Sequence, residues 1–290
     1  MSTLARIAGL RRARYAVRTR ACEHPAVYLP FARRKYPGPS PEVLGAATEL
    51  VIDGYTRSAS TFAVYALQLA QDRPLRLAHH LHAPAQLIAA ARRGVPALLL
   101  VREPRGAILS QLVREPGVAM RDALVAYVRF HECLLAYQDH LVVGEFETVT
   151  HDFGSVIRRL NKRFGLSLTE FVHTPQSMSE CYALIAQRGS LSPVLLGFES
   201  GLVSKDTACN ELRALQSRAA SGRLREAWMP SEEREGAKEA LAELWLRPGL
   251  ARLRARAFDM YEEYVGSGPP AVASSTHTPA GVRPSMREEA

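Results

Sequence analysis

Residues 52–62 read Ile-Asp-Gly-Tyr-Thr-Arg-Ser-Ala-Ser-Thr-Phe, and the fold turns on how this stretch is read. An apolar run ends at Gly54, a short polar segment containing Arg57 follows, and a helical apolar pattern begins. Laid on the phosphate-binding pattern G-x-x-x-x-G-K-[ST], Gly54 and Thr61 fall in frame, with Ala59 at the second Gly and Ser60 at the Lys. Backbone N–H groups turning into a helix N-terminus cradle an anion, because their donors are unpaired and the helix dipole is positive there. Ser58, Ser60 and Thr61 add hydroxyls, and Arg57 adds a rigid cationic fork. The competing reading is an ordinary strand-to-helix turn with a Ser/Thr cap.

Outward from this turn the chain alternates. Residues 49–55, 75–80, 96–101 and 141–146 read as strands, and 61–72, 84–93, 104–113, 123–137 and 152–164 as helices. Such alternation predicts an α/β fold with a central parallel sheet flanked by helices on both faces. Ligands then sit beyond the carboxyl ends of the strands. Residues 175–228 show no clear period, and 231–245 and 249–265 read as helices.

The 290 residues, 47% hydrophobic and 23% charged, have the composition of a globular protein with a sizeable core. No apolar run reaches the roughly 18 residues of a membrane span, and no secretory h-region is visible. Four cysteines without a metal spacing suggest reduced thiols and a cytoplasmic protein. The net charge of +8 is confined to residues 1–36, where nine cations face only Glu23. Three segments follow: a basic N-terminal arm (1–44), an α/β domain (45–265) and a disordered C-terminal tail (266–290) rich in Gly, Pro, Ser and Thr. No aromatic-interleaved basic motif points to nucleic acid. The arm reads as solvated, with contact to an anionic membrane surface or a partner as the functional alternative.

Two further strand ends carry chemistry. Arg102 closes the third strand and Ser110 lies eight residues on, a pair able to hold a second phosphate, or else an exposed Arg and a solvent-facing Ser. After the second strand stand His79, His80 and His82, open to three readings: metal ligand, general base or structural histidine.

Taken in order, Arg57-Ser58-Ala59-Ser60-Thr61-Phe62, then His80, then Arg102 and Ser110, these pieces resemble the sulfotransferases that use 3′-phosphoadenosine-5′-phosphosulfate (PAPS), over roughly residues 45–170. His80 precedes Arg102 by 22 positions, a spacing similar to that of the cytosolic members, and Ala59 replaces the family's Gly. The resemblance implies a P-loop-like three-layer α/β fold and transfer of a sulfuryl group to a hydroxyl or amine of a small-molecule, lipid or carbohydrate acceptor, without a metal. It places Arg57 at the bridge between 5′-phosphate and sulfate, and Ser58, Ser60 and Thr61 on the 5′-phosphate. Phe62 would lie near the adenine, Arg102 and Ser110 on the 3′-phosphate, and His80 would be the base. Ala78 stands where the family has a Lys, and the element that closes over the donor is not visible, Arg188-Gly189 and Lys205 being weak candidates. The alternatives are a P-loop kinase or NTPase, which the missing loop Lys disfavours, and a non-catalytic nucleotide-binding relative.

Overall fold

The computed structural model describes residues 3–36, 43–218 and 232–266. Two helices come first, α1 (Thr3–Ala21) and α2 (Pro25–Lys35). There follow β1 (Leu50–Gly54), α3 (Ser60–Ala70), β2 (Leu77–His79), α4 (Pro84–Arg93), β3 (Ala97–Val101), α5 (Pro104–Arg114) and α6 (Met120–Glu132). A 3-10 turn (Leu135–His140) leads to β4 (Val142–Glu145), α7 (Phe146–His151) and α8 (Phe153–Phe164). The chain continues with α9 (Pro175–Gln187), α10 (Pro193–Glu199), α11 (Lys205–Arg218), α12 (Glu232–Ala240), α13 (Ala242–Leu246) and α14 (Ala251–Val265).

The four strands form one parallel sheet in the order β2-β1-β3-β4, the α/β architecture expected from the alternation. Successive strand residues point to opposite faces, so one sheet feeds two cores. Leu50, Ile52, Leu98 and Leu100 pack with α3, α8, α9, α10 and α11. Val51, Leu99 and Val101 pack with α2, α4, α5, α6 and α14 on the other side. Burial on both faces explains why these strands read as continuous apolar runs rather than as alternating ones.

Gly54 is required by packing. A Cβ there would lie 2.3 Å from the Leu100 carbonyl oxygen on β3, so the glycine that fits the phosphate-binding pattern serves strand contact. β2 is shorter than expected because His80 adopts φ 58, a left-handed conformation that ends a strand. The expected helix at 123–137 begins at Met120 and gives way after Glu132 to the 3-10 turn, and that at 231–245 breaks at Leu241 into α12 and α13. Residues 175–218, unassigned from sequence, are helices with local start signals: Thr174 and Ser177 form a reciprocal cap, and Pro175 and Pro193 open α9 and α10.

The N-terminal arm is corrected in its described part. Tyr28, Leu29 and Ala32 of α2 are buried in the same core as α4 and α6. Arg12 pairs with Asp122, and Glu23, the one anion of residues 1–36, accepts both arms of the Arg129 guanidinium at 2.6 Å. These residues are helices docked on the body rather than a solvated arm. The expected disordered tail lies, from residue 267 on, outside the described residues. Among the described residues, no helix is long and apolar enough to cross a membrane.

Candidate active site

The turn after β1 is held in unusual backbone geometry. Arg57 (φ 71) and Ala59 (φ 66) are both left-handed, on either side of Ser58. Alternating left-handed residues curl successive N–H groups towards one point, a nest suited to an anion. Ala59 is the residue preceding α3, and no side chain caps that helix, which leaves its first N–H groups to a ligand. Within the nest the Ser58 and Ser60 hydroxyls are buried without a hydrogen-bond partner. Buried hydroxyls normally have partners, so two orphans in one loop mark a place built for an oxygen-rich group.

The left-handed φ accounts for the Gly of the pattern and makes Ala59 a strained replacement, for which nothing in the structure gives a reason. Ala59→Gly is expected to raise stability by about 0.5–1 kcal/mol, read as a higher urea midpoint. An unchanged or lowered midpoint would refute the strain.

The second strand end closes on the first. Arg57 Nε donates to Ser110 Oγ at 2.9 Å, and Arg102 Nη1 donates to the Arg57 carbonyl at 3.0 Å. Arg102 lies over the Phe146 ring, 3.8 Å from its centroid, with its own carbonyl accepting from the Tyr127 hydroxyl. A Cβ on Gly106 would come within 3.2 Å of Arg102 Nε, so glycine in the first turn of α5 leaves room for the guanidinium. Burial, then the Arg114, Arg234 and Arg102 guanidinia, push the Arg57 guanidinium down to about 10. Cations gathered closely enough to depress one another define a site that an oligo-anion would stabilise. Arg114 and Arg234 carried no signal in the sequence. Arg234 sits on α12, which returns to this site from far along the chain.

The histidines occupy three different settings. His79 is buried, and its Nδ1 lies 2.6 Å from His80 Nδ1. His80 Nε2 lies 3.1 Å from the Thr61 hydroxyl, so both ring nitrogens of His80 are engaged. His82 Nδ1 lies 3.0 Å from the Gly54 carbonyl, and its backbone N–H donates to Asp53 Oδ1 at 3.0 Å. Burial, then Arg188, pushes His79 down to about 3 and His80 well below its ordinary range, and burial pushes His82 down to about 4. All three are therefore neutral at pH 7. Asp53 is fully buried, and burial pushes its carboxyl up to about 7 against the hydrogen bonds it accepts. Asp53 is a site residue that sequence reasoning missed, because a carboxylate one residue before Gly54 reads as part of the strand.

His79, His80 and Glu199 each bring one ligand atom within 4.8 Å of the others. Glu199 is already neutralised: Arg188 binds both carboxylate oxygens, at 2.7 and 3.2 Å, and the Tyr65 hydroxyl donates to one at 2.6 Å. The two histidines bond to each other and Glu199 bonds to Arg188 and Tyr65, while His79 Nε2 is buried without a hydrogen-bond partner. This also corrects two candidates for an element closing over the donor. Arg188 is committed to Glu199, and Lys205 donates to the Leu69 carbonyl at 2.9 Å.

Phe62 does not offer an open ring. It is 5% exposed and packs edge-on against Phe153 and Phe171 and nearly parallel to His173. The helix position that put Phe62 one residue past the loop also turned it into the core. Half-buried His173, whose Nε2 lacks a partner, covers it.

The fold and site thus define an α/β protein with a left-handed turn and two orphan hydroxyls at the end of β1, and clustered guanidinia at the end of β3. No protein-family model matches the chain, and no curated protein matches it. Among solved structures the chain is similar to the crystal structure of mouse sulfotransferase SULT7A1 complexed with PAP, with 12% identity and a TM-score of 0.36, over 76% of this chain and 92% of that one.

Proposed function

We propose that the protein is a PAPS-dependent sulfotransferase that moves a sulfuryl group to a hydroxyl or amine. The observation that carries the reading is the meeting of two anion-binding pieces: the nest with its orphan Ser58 and Ser60 hydroxyls, and the Arg102–Ser110 pair locked to it through Arg57. An adenosine with phosphates at both 3′ and 5′ positions supplies two anions to two such pieces. Ser110 Oγ accepts from Arg57 and keeps its own O–H to donate to the 3′-phosphate. The nest and the N-terminus of α3 would take the 5′-phosphate, and Arg57 would neutralise charge on the leaving oxygen. An ATP site fits less well, since Ser60 stands where the phosphate-binding Lys belongs and Arg102, not an acid, ends β3. The four thiols, all free, suit a cytoplasmic enzyme acting on a small-molecule, lipid or carbohydrate acceptor.

Calorimetry tests the donor. Adenosine 3′,5′-bisphosphate is expected to bind at least about tenfold more tightly than ADP with Mg²⁺, corresponding to about 1.4 kcal/mol. The reverse order would sink the proposal.

A further inference from the structure

We infer that His82, backed by Asp53, is the base that takes the proton from the acceptor; this rests on the sulfotransferase reading and reassigns the role that sequence order gives to His80. A carbonyl oxygen can only accept, so the 3.0 Å contact to Gly54 fixes the proton of His82 on Nδ1 and leaves the lone pair on Nε2. Among the described residues, that Nε2 makes no hydrogen bond. His80 has no such free nitrogen: Nδ1 meets His79 and Nε2 meets Thr61.

Access separates them as well. His82 lines a pocket between the turn after β1 and the N-terminal helix α1, with Tyr15, Arg18, Thr19, Thr56 and Gln111 among its other walls, and His80 is not part of it. The His82 ring hangs from the Gly54 carbonyl, three residues before Arg57, the group assigned to the leaving oxygen. Asp53 holds the arrangement. Its Oδ1 takes the backbone N–H groups of Gly54 and His82, fixing His82 at φ 48, and lies 3.7 Å from the His82 ring nitrogen. In its ionised form the Asp53 carboxyl, at that distance, favours an imidazolium once it forms.

The step balances within the site. The acceptor oxygen forms the new O–S bond as the bond from sulfur to the 5′-phosphate oxygen breaks. The leaving bisphosphate keeps that electron pair, and the acceptor proton moves to His82 Nε2 and then to solvent.

Diethyl pyrocarbonate, which acylates unpaired imidazole nitrogens, tests availability in the intact chain without a variant. Mapped by mass spectrometry on the peptide that holds all three histidines, His82 is expected to react at least about tenfold faster than His80. Asp53→Asn should slow His82 and leave His80 unchanged, a shift that a purely structural role would not give. Equal or faster reaction at His80 overturns the inference. Turnover of PAPS, including transfer to water, provides the second arm. His82→Asn and His80→Asn are the variants to compare, because Asn tolerates the left-handed backbone at both positions. His82→Asn should lose about a hundredfold or more with bisphosphate affinity retained, and His80→Asn should lose less than about tenfold. The opposite pattern, with the bisphosphate still bound, overturns the inference alone. Failure of the bisphosphate to bind wild type overturns the donor reading and this inference with it.

Discussion

Arg57→Ala is expected to slow release of the bisphosphate from PAPS about a thousandfold while weakening binding of adenosine 3′,5′-bisphosphate by no more than about tenfold. The asymmetry follows from where charge changes. Negative charge grows on the leaving oxygen as the S–O bond breaks, so a cation aimed there counts most in the transition state. Burial makes that cation effective, and although burial and then the neighbouring guanidinia push it down to about 10, it stays charged at pH 7. The substitution also frees the Ser110 hydroxyl from its 2.9 Å bond to Arg57 Nε. Arg57→Lys keeps the charge and loses the fork, and should recover most of the rate. Parallel loss of rate and affinity in Arg57→Ala would mean the residue binds both states alike, against the assigned role.

Arg102→Ala should erase the distinction between 3′,5′-bisphosphate and 5′-monophosphate. A charge-assisted contact to phosphate contributes about 1.5–3 kcal/mol, so a preference of roughly ten- to a hundredfold should collapse towards one. The ratio is the informative quantity. Arg102 also donates to the Arg57 carbonyl, so its removal loosens the nest and weakens both ligands together. Calorimetry with both nucleotides separates the two effects. A preference retained in Arg102→Ala would place the 3′-phosphate elsewhere.

Most of the sheet was legible because its strands are buried on both faces, so LVIDG and ALLLV stand out as apolar runs whatever their neighbours. The anion turn was legible for a similar reason: small and hydroxylic residues between a strand and a helix are a local signal. What local signals cannot carry is tertiary pairing. The basic composition of residues 1–36 hid Tyr28, Leu29 and Ala32, which are core residues only because α4 and α6 lie against them. Phe62 fitted an adenine-facing position by order, yet its helix turns it towards Phe153 and Phe171, distant in sequence. The three histidines differ by hydrogen bonds to Gly54, Thr61 and each other, and spacing alone does not distinguish them.

The docking of the N-terminal helices has a consequence for synthesis. Glu23 meets Arg129 across 106 residues, and Arg12 meets Asp122 across 110. At about 5–20 residues per second, these helices leave the ribosome roughly 5–20 s before their partners on α6 exist. Through that interval the most cationic part of the chain waits undocked beside ribosomal RNA. A segment made early must thus wait for α6 before it finds its place.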